Sequence, residues 1–406
     1  MTAPNLPEKF DYKIHVGPSH PTHKEPIRFT FYLRGEHIEK VDLRIGHNHR
    51  GIEKALEART FVQNLLLVAR LSGMASNAHQ FAYVQNIEKC ADLYHEVPER
   101  AHWLRVIASE LERIQSHMLW YGQLAHDAGF NTLWHTVWRD REIVMDMLEK
   151  WTGNRVNYAI CSFGGVRRDL SEELRSEFVE SIKKLRNYVE SHKKIAESEK
   201  TYYVRLRGVA VLSRDDALRY CAVGPTARAS GVSTDIRFDD PYAVYGELKK
   251  ASFDRVVYNN GDVLDTNRVR LDETLVSCDM VLYCLENLPT GEYRMNEEFP
   301  RELAPNESIQ RIEAQRGEEI HYVRSNGTDK PDRYKISTPT FANLPALKHR
   351  LLGCKAADIP VAIRSIDPCI ACAERVIIVD AKSSKKTVGN KDLRLKNTMT
   401  RISCNR

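Results

Sequence analysis

The segment Ser365–Arg375 reads SIDPCIACAER and carries the one Cys-x-x-Cys pair of the chain, Cys369 and Cys372. Two thiols at that spacing can share a metal, close a strained disulfide or do thiol redox chemistry. A four-thiolate metal site needs a second such pair, and the sequence has none. Asp367-Pro368, just ahead, is a turn signal that presents both sulfurs from one loop. A thiolate attacks sulfur–sulfur bonds, and a second thiol beside it resolves the product as a disulfide. Arg364 and Arg375 flank the pair and would lower a thiol pKa if they face the sulfurs. A buried, inert pair is the competing reading.

Working outward, 406 residues suffice for two or three packed sub-domains around a large core. Apolar residues make up 42% and charged residues 28%, the balance of a water-soluble globular chain. A net charge of +5 is small for this length and gives no ground for nucleic-acid binding. No apolar run reaches the roughly 18 residues of a membrane span, and the start, MTAPNLPEKFDYK, has no apolar signal region. The expected location is the cytoplasm or the cytoplasmic face of the cell membrane. Nine scattered cysteines, an odd number, exclude a disulfide framework as the reading and leave most of them as small buried residues.

Apolar alternation at Ile27, Phe29, Phe31 and Leu33, then Val41, Leu43 and Ile45, predicts a hairpin turning near RGEH. From Gly51 to Leu71 the pattern is helical. Pro98 opens a long helix striped by Leu104, Ile107, Leu111, Ile114 and Met118. A further helix is expected from about His135 to Trp151, and another starting at Asp169-x-x-Glu172, with Leu174, Phe178, Ile182, Leu185 and Val189 inward. Several long helices with short connections predict a central bundle. Pro289, Gly291, Pro300 and Pro305 mark 287–308 as loop, and strands return at EEIHYVRS and DRYKIST. The expected division is a β-hairpin region over 1–50, a helical and α+β catalytic body over 51–380, and a basic tail over 381–406. From Lys382 to Arg406 there are eight Lys or Arg against one acid, Asp392, either a solvated tail or an arm lying on a partner or on anionic lipid.

Three more stretches hold candidate chemistry. His20 and His23 stand in the Gly/Pro turn GPSHPTH, as turn residues or as ligands. Arg50 and Glu53 flank a glycine in HNHRGIEK, where an acid also suits a helix N-terminus. GGVRRD, Gly164 to Asp169, reads as a tight loop before a capped helix.

Taken in order, VGPSHPTHKEPIRFTFYLRGE, HRGIEK, FGGVRRD, VGPTARASGVSTDIR and SIDPCIACAER resemble the large catalytic subunit of NiFe hydrogenases and its relative, the quinone-site subunit of respiratory complex I. The resemblance spans nearly the whole chain. It implies a mainly α fold with α+β elements: the hydrogenase large-subunit type, a long-helix bundle plus a small N-terminal antiparallel sheet. In the hydrogenases an Arg-x-Cys-Gly-x-Cys motif joins the C-terminal pair to hold nickel and iron. Here that stretch is Arg70-Leu71-Ser72-Gly73-Met74-Ala75, so Ser72 and Ala75 replace two thiolates. A hydroxyl is a poor ligand for a soft metal and a methyl is none. In the complex I branch a tyrosine resembling a quinone donor stands where Gly73 is, and that branch lacks the Cys pair. A hydrogenase and a quinone reductase are both disfavoured.

Both departures are similar to the membrane-bound sulfane sulfur reductases of sulfur-respiring archaea. Hydrogenase large subunits are trimmed just after the C-terminal motif, whereas this sequence runs on through VIIVDAKSSKK to Arg406, which agrees with a site that takes no nickel. The resemblance implies a substrate-site subunit that reduces polysulfide or organic polysulfanes with electrons from ferredoxin. It also implies that this chain binds no cofactor alone, and that a small iron–sulfur partner subunit holds a [4Fe-4S] cluster beside Cys369 and Cys372. Further hydrophilic subunits and membrane antiporter-like and complex I-like subunits would carry ion translocation. His20, His23 and Glu53 are candidates for proton delivery, and Arg364 for stabilising anionic sulfur. A quinone-site subunit and a non-catalytic coupling subunit are the alternatives.

Overall fold

The computed structural model describes residues 10–374 and the backbone of two short paired strands, Ile377–Val379 and Lys386–Val388. Arg375 and, apart from that strand backbone, the basic tail lie outside the described residues.

The predicted hairpin forms as β2 (Arg28–Arg34) and β3 (His37–Arg44), and β1 (Tyr12–Val16) adds a third antiparallel strand against β2. Phe29, Phe31 and Leu33 with Ile38 and Val41 bury one face of this sheet in the main core. Sequence periodicity gave no sign of β1, because four of its five residues are exposed. The loop between β1 and β2 closes at Gly17, whose φ of 92° favours glycine. A Cβ there would lie 2.0 Å from the Ile27 carbonyl oxygen.

The helical run after Gly51 is two helices, α1 (Ile52–Ala58) and α2 (Phe61–Ala69), rather than one. Thr60 breaks it by capping α2, its hydroxyl accepting from the Gln63 N–H while the Gln63 side chain answers the Thr60 N–H. α3 (Ser76–Cys90) follows and is buried on nearly every face, although Asn77, His79, Gln80, Gln85, Asn86 and Glu88 are polar. Such a helix holds only if its polar groups are paired. Glu88, for one, takes a two-pronged bond from the buried Arg105 at 2.6 and 2.9 Å.

Four long helices form the bundle. α4 (Glu99–Asp127), opening at Pro98, packs on α5 (Asn131–Thr152) and on the helix Val263–Glu286, and α6 (Glu172–Ser198) packs on the latter two. At 29 residues α4 is about 43 Å long and crosses the molecule's centre. The expected start of α6 at Asp169 is corrected to Ser171, whose hydroxyl accepts from the Leu174 N–H at 3.2 Å. Asp169 instead receives Arg100 at 2.9 Å.

After the loop 287–305 come three antiparallel strands, Asn306–Ala314, Gly317–Ser325 and Arg333–Ser337, with the second in the middle. α3 lies across the first two. Gly317 has a φ of 129°, and a Cβ on it would meet the Gly224 N at 2.7 Å. The two backbones touch there, which fixes Arg316 at the head of the middle strand. Three helices, Pro339–Arg350, Ile359–Arg364 and Ile370–Ala373, then return the chain to the bundle. Among the described residues no helix is long and apolar enough to cross a membrane.

Candidate active site

Asp367 takes a left-handed φ of 50°, and the Asp-Pro turn read from the sequence delivers both sulfurs to one point. Cys369 Sγ and Cys372 Sγ lie 2.8 Å apart and buried. They line a cavity of about 10 Å³ with Ser72, Ala75, His79, Arg316 and Glu319, room for one water-sized guest. The loop before α3 brings Ser72 and Ala75, so the four positions that the hydrogenase resemblance singles out do converge, as two thiols, a hydroxyl and a methyl. This donor set does not fit a four-thiolate nickel–iron centre.

The Ser72 hydroxyl oxygen accepts from the N–H groups of Met74 and Ala75 at 3.3 and 3.2 Å. Its own hydrogen is thereby left for Cys369 Sγ, 3.3 Å away. The hydrogen bond from Cys372 holds the Cys369 thiol below its ordinary pKa against the cost of burial, with Arg316 and Ser72 adding to it. Burial, and then the adjoining Cys369, push the Cys372 thiol well up. Cys369 is therefore the more acidic thiol of the pair, and Cys372 the one placed to donate to it.

Positive charge reaches the sulfurs from a residue the sequence reading passed over. Arg316 bonds the Asp367 carboxylate at 2.8 Å and the Asp367 carbonyl at 2.8 Å. Asp367 also pairs with Lys24 at 3.0 Å, and these cations hold its carboxyl far below the usual carboxylate range despite burial. Arg364 does not face the sulfurs. Its guanidinium is spent on Asp127 at 2.6 Å, Gln123 at 3.1 Å and the Thr22 carbonyl at 2.8 Å.

The histidine loop is drawn over the Cys segment by its neighbours rather than by its histidines. Lys24 pairs with Asp367, and the Glu25 carboxylate accepts from the Ala371 N–H at 2.8 Å, at the start of the short helix Ile370–Ala373. His20 is exposed, and the half-buried His23 is lowered to about 4, first by burial and then by His20. Neither has a hydrogen bond to a sulfur among the described residues. Glu53 lies on α1 and grips the strand Arg333–Ser337, accepting from Lys335 at 2.5 Å and the Ile336 N–H at 3.2 Å.

The group that does touch the thiols sits on α3 and the middle strand. His79 Nε2 is 3.4 Å from Cys372 Sγ. Its Nδ1 faces Glu319 Oε1 at 2.5 Å, and His321 Nε2 faces the same oxygen at 2.7 Å. His321 Nδ1 is 2.7 Å from the Tyr334 hydroxyl. The donor atoms of His79, Glu319 and His321 lie within 4.8 Å of one another, yet both rings already bond the one carboxylate oxygen, so this is a hydrogen-bond chain. Burial pulls the Glu319 carboxyl up, but His79 and His321 bring it down to about 2. Burial lowers His79, and Glu319, with Cys369 and Glu112 adding to it, more than offsets that, so its pKa ends above the ordinary value. The sequence held one clue: Glu319 and His321 are two apart on a strand and share a face.

The respiratory-chain NADH dehydrogenase 49 kDa subunit family matches this chain over residues 127–302 and 300–375. The chain belongs to that family. Within the 49 kDa subunit family and its hydrogenase kin, similar proteins include the alpha subunit of the membrane-bound hydrogenase of Pyrococcus furiosus, 41% identical over 94% of this chain and 91% of the relative. The carbon monoxide-induced hydrogenase of Rhodospirillum rubrum is 38% identical over 90% and 99%. An NADH-quinone oxidoreductase subunit of Dehalococcoides mccartyi is 35% identical over 88% and 96%. Among solved structures, one of the membrane-bound sulfane sulfur reductase, an archaeal respiratory membrane complex, superposes with a TM-score of 0.84 at 28% identity, covering 91% of this chain and all of the other. The hydrogenase large-subunit type of fold expected from the sequence is borne out.

Proposed function

We propose that this chain is the substrate-site subunit of a membrane-bound, ferredoxin-dependent oxidoreductase that reduces sulfane sulfur in polysulfide or organic polysulfanes. One observation carries the reading: a buried pair of cysteines, sulfur to sulfur at 2.8 Å, lines a cavity in which Ser72 and Ala75 stand where the hydrogenase resemblance calls for two more thiolates. In support, a chain of the same fold, 28% identical, comes from a structure of a membrane-bound sulfane sulfur reductase, and two hydrogenase relatives match over 94% and 90% of this chain. A [4Fe-4S] cluster in a small partner subunit would supply electrons one at a time. Further hydrophilic and antiporter-like membrane subunits would couple them to ion movement, with this chain in the peripheral arm on the cytoplasmic face.

The chemistry follows from the sulfurs. The Cys369 thiolate attacks the terminal sulfur of a polysulfide chain; that sulfur–sulfur bond breaks, leaving Cys369 as a persulfide and releasing a chain one atom shorter. Cys372 then attacks Cys369 Sγ, and its proton leaves with the departing sulfur as HS⁻. Two electrons and one proton reopen the resulting disulfide to thiolate and thiol. The cavity takes a single atom-sized guest, which suits attack at a chain end. Arg316 faces the anionic sulfur in the place the sequence reading gave to Arg364.

The test is product formation by the intact complex given reduced ferredoxin and polysulfide without oxygen. Sulfide without hydrogen is the expected result, and hydrogen release would overturn the reading.

A further inference from the structure

The dithiol cycle needs a proton whenever the disulfide is reopened, and the cavity wall contains a group placed to give it. His79 Nε2 is 3.4 Å from Cys372 Sγ, on a ring whose far nitrogen is held by Glu319. An ionised carboxylate only accepts, so Glu319 requires a proton on His79 Nδ1 and another on His321 Nε2. His321 Nδ1 is then the acceptor for the Tyr334 hydroxyl, and every member of the chain is satisfied. With its near side against sulfur and its far side against a carboxylate, a charged His79 ring has a bond for each N–H. His20, His23 and Glu53 have no such approach to the thiols.

We infer that His79 is the proton donor to Cys372 when the Cys369–Cys372 disulfide is reduced, with Glu319 and His321 as its positioning residues. The inference rests on the sulfane reading above. As two successive electrons from the partner's iron–sulfur cluster break the sulfur–sulfur bond, Cys369 leaves as thiolate. Cys372 takes the Nε2 proton of the His79 imidazolium and becomes the thiol. The neutral ring then takes one proton from solvent and is recharged, so one proton and two electrons enter per turnover. The charged and titratable groups that act on His79 are Glu319 and His321 on the middle strand, Cys369 and Cys372 on the C-terminal segment, and Glu112 on α4. Glu319 is the dominant support of the charged ring, so its loss would make His79 give up its proton at lower pH.

The experiment separates the two half-cycles in the intact complex carrying His79→Gln. The complex is reduced, freed of reductant and mixed with polysulfide, and the first sulfide released per site is timed. It is then run with reduced ferredoxin and quenched by alkylation, and the thiol, persulfide and disulfide forms of Cys369 and Cys372 are counted by peptide mass. The expected result is a first sulfide at the wild-type rate, later turnovers slower by about 100-fold, and the disulfide as the accumulated form. A variant that turns over slowly with its pair reduced would overturn the role of His79, as would one that turns over at the wild-type rate. Glu319→Gln provides a second readout if the first variant does not assemble: its alkaline limb of turnover should move to lower pH, and an unmoved limb overturns the role of Glu319. Wild-type complex that forms neither persulfide nor disulfide would sink the sulfane reading itself.

Discussion

Lys24 Nζ lies 3.0 Å from Asp367 Oδ1, both side chains nearly or fully buried, across 343 residues of sequence. This pair ties the histidine loop to the turn that presents the sulfurs. Removing one partner of a buried pair leaves a charge without compensation. Lys24→Met should therefore cost about 3 kcal/mol of unfolding free energy, read as a shift of the urea midpoint. An unchanged midpoint would show that Arg316 and Arg270 suffice for Asp367.

Arg316 and Arg364 should separate cleanly. Arg364→Gln breaks a buried bond to Asp127 and should lower stability by about 3 kcal/mol, while assembled complex keeps its turnover. Arg316→Gln should cut turnover at least tenfold, because it removes the cation beside the thiolate. Equal turnover losses from the two changes would contradict the placement of these charges.

Each sulfur is needed in its own way. Cys369→Ser should abolish sulfide release, and Cys372→Ser should stall before the first sulfide with a persulfide on Cys369, both in complexes that still assemble. Full turnover by either variant rules out the dithiol.

Restoring the lost thiols is the converse test. The double change Ser72→Cys and Ala75→Cys places four thiols around one cavity and should let the chain hold about one zinc or nickel ion per site, counted by elemental analysis, where the parent chain should hold none. If the double variant stays metal-free, the cavity and not the ligand set is the barrier.

Acid should destabilise the fold through its buried histidines. Burial, followed by Arg105, lowers His102 to about 3, and burial with Arg270 lowers His117 to about 3 against the pull of Glu273. In the unfolded chain both gain a proton near the ordinary value of 6.5. Below pH 6.5 the unfolded state thus binds more protons, and stability present above that pH is lost as pH falls toward 3. Each contributes up to about 1.4 kcal/mol per pH unit. His79, raised, is protonated in both states at that acidity and adds little slope. His102→Gln should flatten the fall between pH 6 and 4 by about one proton's worth, and an unaltered slope would refute the assignment.

The fold was legible where burial follows a period. α4, α5 and α6 carry apolar stripes, and β2 and β3 alternate. α3 and β1 were not, for opposite reasons: α3 buries polar residues on every face, and β1 buries almost none. The Cys pair and the missing Ser72 and Ala75 thiols were legible because chemistry and spacing mark them. Arg316 and His79 were not, since each matters only through a partner far along the chain, and Glu319 showed no more than its spacing to His321. Arg364 misled for the same reason: nearness in sequence to Cys369 put it beside Asp127 in space.

The sulfur site joins contacts that span 297 residues from Ser72 to Cys369, 293 from His79 to Cys372 and 346 from Glu25 to Ala371. On the ribosome the cavity wall is therefore made long before the thiols that fill it. Two adjacent cysteines without partners would be open to oxidation and to soft metals. Late synthesis shortens that interval, and the waiting hydroxyl, imidazole and carboxylate give the pair its partners as soon as it arrives. Fragments that stop short of Cys369 carry the cavity wall without the reactive pair, so the order of manufacture itself guards the reactive part.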